Sequence, residues 1–167
     1  KLPALVERED QREGDNSWSV AKYFLSEVLK GYLSGWLDLE EPDHLLEATF
    51  EGSRADDRAR LYWEIYRSWS DADESPGPER VARVLALWEW RLDHLRRTED
   101  DQEEKEGLLW FFLTPHLPPE DLLRLGEPTV ALKARQQGVR GLLWPRLHEL
   151  LRVDTATVLR MVETAVE

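Results

Sequence analysis

Residues Val81 to Leu95 read VARVLALWEWRLDHL, and the periodicity of this stretch decides the fold. Val81, Val84, Leu85, Trp88, Leu92 and Leu95 recur at the spacing of one apolar helical stripe. Leu87, Trp90 and His94 make a second stripe, roughly opposite the first at about 100° per residue. A surface helix needs only one apolar face, so a helix with two is expected to lie sandwiched between layers of other helices. The segment predicts an all-α fold in which antiparallel helical hairpins pack as a bundle or stack.

Working outward, the segment is preceded by SDADESPGP (70–78), whose acids, prolines and glycine make it the strongest break in the chain. Upstream of that break, Ser53 and Asp56 read as a capping box for a helix to about Trp69. Its inward face should be Leu61, Tyr62, Ile65, Tyr66 and Trp69. Pro42 opens a short helix holding Leu45, Leu46 and Phe50, ended by Gly52. Asn16 or Ser17 caps a helix running to about Ser34, where Gly31 and Gly35 could admit a close neighbour; Lys1 to Glu13 reads as a further short helix.

Downstream, TEDDQEEKE (98–106) reads either as a solvated loop or as the first turns of a helix capped by Thr98 and Asp101. Leu108 to Leu113 is uniformly apolar, and its helical neighbours argue for helix over strand. Proline and glycine then punctuate the chain. Pro118-Pro119 starts a helix that closes at Gly126, Pro128 starts one that closes at Gly138, and Pro145 sits in the first turn of a third. Asp154 caps the last helix. We expect one helical domain over residues 1–167, with a sub-boundary in the linker 70–78. The chain begins at Lys1, its single methionine is Met161, and an apolar stripe is still running at Val166 without a glycine cap. These features read as a fragment of a larger protein.

Composition narrows the function. Net charge is −12, divided as −13 over residues 1–120 and +1 over 121–167. Such a balance argues against nucleic acid as a partner, since affinity for phosphate comes from neutralising it; only the arginines between Arg124 and Arg160 would suit that role. There is no cysteine, hence no disulfide, thiolate metal site or cysteine nucleophile, which accords with a cytoplasmic location. No apolar run approaches the roughly 20 residues that span a bilayer.

The residues that carry chemistry do not assemble into a motif. His44, His94, His116 and His148 are far apart, and Glu41 to His44 has the spacing of a di-iron helix without the second motif that such a site needs. Asp93 and His94 are adjacent on a helix and point about 100° apart. No serine lies in GxSxG. We therefore expect no catalytic residues, no metal and no cofactor, and no enzymatic activity. Eight tryptophans read mainly as fillers of gaps between helices. Trp90 stands apart, because on the helical wheel it lies among Arg83, His94 and Arg97, and an aromatic flanked by arginines is the composition of a protein-binding hot spot. Trp90, Arg83 and Arg97 are thus the candidate protein contacts. The competing reading is that another helix covers Trp90 and the arginines stack on its ring.

The run LALWEWRLDHL, an acidic spacer, EGLLWFFL, a proline break, TVALKARQQG and LHELLRVDTATVLRMVETAVE resembles helical repeats of large bacterial proteins. It is most similar to the HEAT-like C-terminal sensor or scaffold regions of STAND-type NTPases, over residues 81–167. The resemblance implies a short HEAT-like helical stack that recognises a trigger or packs against neighbouring subunits. Nothing matches the phosphate-binding motif GxxxxGK[ST]. The expected function is a non-catalytic protein–protein interaction, scaffolding or sensor module, whose partner is another protein or the remainder of a larger polypeptide. The alternative is an acidic helical inhibitor, of the immunity-protein or antitoxin kind, that binds a basic partner. No oligomeric state follows from the sequence.

Overall fold

The computed structural model describes residues 20–36, 45–72, 75–98, 101–132 and 140–166. Several expectations lie outside them: the helix at Lys1 to Glu13, the caps Asn16 and Ser17, Trp18, the Pro42 start, the Glu41 to His44 spacing and the Gly138 stop. Among the described residues every regular element is a helix. These are α1 (Val20–Leu33), α2 (Leu45–Glu51), α3 (Ala55–Ser70), α4 (Pro78–Leu95), α5 (Gln102–Gly107), α6 (Leu109–Leu113), α7 (Pro119–Val130), α8 (Arg140–Leu150) and α9 (Thr155–Val166). The all-α fold read from the sequence is therefore the observed one. The chain divides into two compact units, 1–58 and 59–167, and both helices flanking the 70–78 linker contribute to the second.

In the first unit α1 packs on α2 through Leu25, Val28, Leu29 and Tyr32 on one side and Leu46 and Phe50 on the other. Gly35 has a local backbone role. It takes a left-handed conformation, φ 79°, and ends α1, with its amide donating to Tyr32 O and that of Trp36 to Gly31 O. This is a Schellman cap, which a residue with a Cβ forms only under strain. The capping box expected at Ser53 is also absent. The Ser53 hydroxyl donates backwards to Phe50 O, and the buried Arg58 guanidinium donates to Phe50 O at 2.8 Å and to Ser53 O. Both groups serve the orphan carbonyls at the end of α2 rather than the start of α3.

The second unit is organised around α4. Its buried residues are Val84, Leu87, Trp88, Arg91, Leu92 and Leu95, which form one continuous arc. The two stripes of the sequence are thus flanks of a single face, and Arg91, about 20° from Val84 on the wheel, fills the gap between them. Ala82, Glu89, Asp93, Arg96 and Arg97 are exposed, so α4 is covered on one side only and not sandwiched. Trp88 packs near Phe111 of α6, with ring centroids 5.9 Å apart. Its indole donates to the Thr129 hydroxyl of α7 at 2.9 Å, and Thr129 passes the bond to Leu125 O. On the other side of Phe111 lies Tyr62 of α3, at 4.7 Å. Of the inward face predicted for α3, Leu61, Tyr62, Ile65 and Trp69 are buried, and Tyr66 is half-buried, its ring 5.0 Å from that of Trp110.

Arg91 is 1 % exposed, and Glu104 of α5, its partner, is fully buried. The pair is bidentate, Nε to Oε1 at 2.8 Å and Nη2 to Oε2 at 3.0 Å, and the Tyr62 hydroxyl donates to the same Oε1 at 2.5 Å. Desolvation works against the arginine's charge, but the bond to Glu104 and the neighbouring Tyr62 and Glu104 outweigh it, so its pKa is raised. The acidic run 98–106 is accordingly not a solvated loop at this point. Glu104 leaves water because a fixed guanidinium awaits it, and Lys105, also buried, donates to Thr98 O at 2.8 Å. Asp101 occupies the N-cap position of α5 without making a capping bond, and the Thr98 hydroxyl makes none either.

The proline–glycine grammar after residue 115 holds only in part. Pro119 opens α7, but the helix runs through Gly126 and Pro128 to Val130. Gly126 is there because α6, α7 and α9 converge on it: a Cβ would lie 2.5 Å from Phe112 Cδ2 and 3.0 Å from Met161 Cε. Pro128 withholds one amide from the Arg124 carbonyl yet does not break the helix. Pro145 likewise lies inside α8. Arg146 of α8 donates to Phe112 O and Thr114 O and so satisfies the end of α6. Asp154 caps α9 as expected: its carboxylate accepts from the Thr157 hydroxyl at 2.7 Å and from the amides of Thr157 and Ala156.

Breaking a buried pair leaves an uncompensated charge, so Arg91→Met and Glu104→Gln should each cost about 3–5 kcal/mol. In urea denaturation the double variant Arg91→Met/Glu104→Gln is expected to lose at least about 1 kcal/mol less than the sum of the singles. Strict additivity would show that the two groups do not act as a pair. The Asp154 carboxyl has its pKa held below the ordinary carboxylate range by the Thr157 hydroxyl, the Thr157 amide and the Ala156 amide. A depressed folded-state pKa contributes stability above the unfolded value of about 4 and loses it as pH falls through the folded value. Asp154→Ala should therefore melt lower than the parent at pH 7, with the gap closing below about pH 4. A gap that persists undiminished at pH 2 would refute the charged cap.

Candidate interaction surface

Trp90 leaves the buried arc of α4 on one flank and is half-buried. The Arg91 guanidinium lies over its ring, 5.0 Å from the centroid. Arg83 lies with its Nε 3.8 Å from Glu79 Oε1 and its side chain 16 % exposed. Arg97 projects into solvent and pairs with Asp93 at 2.5 Å. The structure thus ties each of the two arginines to an acid one turn earlier on α4. Trp90 meanwhile covers the edge of the buried ion pair.

Trp90 faces a shallow groove of about 630 Å³ between α4 and α7. Leu92 and Leu125 are its buried floor, while Ala86, Trp90 and Pro128 form half-buried walls. The rim is charged: Glu89, Asp93 and Arg96 from α4 and Arg124 from α7. Arg124 bridges the helices, with Nη1 2.6 Å from Glu89 and Nη2 3.0 Å from Asp121. Its pKa is raised by the bond to Asp121 and, after desolvation in the opposite sense, by Glu89. This exposed bridge contributes little to stability.

The groove also gives Trp90 neighbours from the next layer. Arg124, Leu125 and Pro128 lie on α7, more than 30 residues away in sequence, and no spacing rule connects them to Trp90. Of the tryptophans expected to fill gaps, only Trp69 and Trp88 are buried among the described residues. Trp36 is 85 % exposed and Trp144 46 % exposed.

The cluster of Tyr62, Arg91 and Glu104 is closed to water. His94 is half-buried, while His116 and His148 are exposed. Among the described residues no three of the metal-ligating side chains gather into a site, and no helix is long and apolar enough to cross a membrane. No family model, curated protein or solved structure matches the chain.

Proposed function

We propose that this chain is a non-catalytic protein-binding and scaffolding module, working in the cytoplasm as part of a larger bacterial polypeptide, and that the α4–α7 groove is the face it offers. One observation carries the reading. The polar cluster that could have served chemistry is sealed from substrate, whereas the aromatic and aliphatic side chains of Trp90, Leu92, Leu125 and Pro128 line an open groove with a charged rim. An apolar floor inside a polar rim is the anatomy of a protein interface. The occupant is a peptide segment of the partner whose apolar side chain covers Trp90 and Leu125. The resemblance of residues 81–167 to HEAT-like sensor and scaffold regions of STAND-type NTPases supports the same role, with helical hairpins supplying rigid walls and no bond made or broken.

Incorporating a photo-crosslinking amino acid at Asp93, on the rim, and at Arg152, exposed in the turn after α8, tests this in the full-length protein in its own cells. A discrete adduct from position 93 and none from position 152 is expected, abolished when Trp90→Ala is added. Equal adducts from both positions, or none from position 93, would count against the groove.

A further inference from the structure

Pro128 lies inside α7 and lines the groove that Trp90 walls. Having no amide hydrogen, it cannot donate to the carbonyl four residues earlier, that of Arg124. An α-helical carbonyl points along the axis toward the residue four positions on. Arg124 O therefore lies against the Pro128 ring, on the strip of α7 that Arg124, Leu125 and Pro128 present to the groove. The carbonyls around it are served. Leu125 O accepts from the Thr129 hydroxyl at 2.7 Å, Glu127 O from the Ala131 amide at 3.1 Å and Thr129 O from the Leu132 amide at 3.2 Å. Arg124 O is an acceptor without its ladder donor in the wall of a groove with an apolar floor, and such a group calls for a donor when the groove is covered.

We propose that this acceptor, with Trp90 and Leu125, forms a subsite for a tryptophan side chain of the partner segment. The inference rests on the reading of the groove as a docking face and names the side chain that docks. Arg124 O supplies a partial negative charge, whereas the rim acids Asp93 and Glu89 are matched by Arg97 and Arg124. Charge complementarity therefore favours a neutral donor, and a lysine or arginine would set its own charge beside the Arg124 guanidinium. Asparagine, glutamine and tyrosine bring acceptor lone pairs that Ala86, Leu92, Leu125 and Pro128 cannot meet. Serine and threonine are too small to fill about 630 Å³. Indole joins a large apolar body to one donor and no acceptor. On its buried side α7 already uses this chemistry: the Trp88 indole donates to the Thr129 hydroxyl at 2.9 Å, which passes the bond to Leu125 O.

The assignment is tested by NMR titration of the isotopically labelled full chain with acetyl-tryptophan amide and with its benzothienylalanine counterpart, in which sulfur replaces the indole N–H. The tryptophan amide should bind about fivefold tighter, the worth of one hydrogen bond. It should also move the carbonyl carbon of Arg124 downfield, read through the Leu125 amide, a shift that the sulfur analogue should not give. Pro128→Ala returns an amide to Arg124 O, so it should raise the melting temperature and yet erase the preference between the two ligands. Trp90→Ala should weaken both ligands to the same degree and leave the preference intact. Equal affinity in the parent, an unmoved Arg124 carbonyl, or a preference that survives Pro128→Ala would overturn the tryptophan subsite. If it is overturned while the adduct at position 93 stands, the docking face survives without it; if the adduct fails as well, both fall.

Discussion

The second unit is built around a charge that cannot reach water. Arg91 sits in the middle of the buried face of α4, and it is tolerated there because Glu104 meets it with two hydrogen bonds and Tyr62 donates to the same carboxylate. Three elements distant in sequence, α3, α4 and α5, are thereby tied at one point. A buried pair of this kind adds little net stability compared with a well-packed apolar replacement, but any arrangement that separates its members is heavily penalised. Its effect is to define the register of α4 against α5. The aromatic packing of Tyr62, Phe111 and Trp88 then proceeds from that register, and Gly107 allows α5 to approach α3, where a Cβ would stand 2.5 Å from Ala59.

The same feature explains what could and could not be read from the sequence. Where one local force dominates, the residues speak plainly: the apolar spacing of α3 and the Asp154 cap. Arg91 was invisible because hydrophobic periodicity scores a charge as outward, which split one broad face into two stripes. Glu104 was hidden in a run of acids of which any could have been solvated. Gly126 and Pro128 read as punctuation, yet in α7 packing outweighs intrinsic propensity: Phe112 and Met161 leave room for no side chain at position 126.

The surface divides along a similar line. Trp90 lies at the edge of the buried arc, and the groove beside it could not be taken from α4 alone. Arg83 and Arg97 are engaged by acids of their own helix, a short-range pairing that spacing rules anticipate once they are asked about acids as well as aromatics. The residues that shape the groove, Leu125, Pro128 and Arg124, become its neighbours only through the packing of α7 on α4. Because Trp90 also lies over Arg91, core and proposed docking face meet in one side chain.

The most direct test of the central claim is hydrogen exchange at the Arg91 side-chain Nε–H. An ion pair closed on all sides exchanges only when the unit opens, so this proton should be protected to the same degree as the amides of Trp88 and Phe111. Exchange as fast as that of the exposed Arg97 Nε–H would show that water reaches the pair, and the buried charge could then not be what holds α3, α4 and α5 in register.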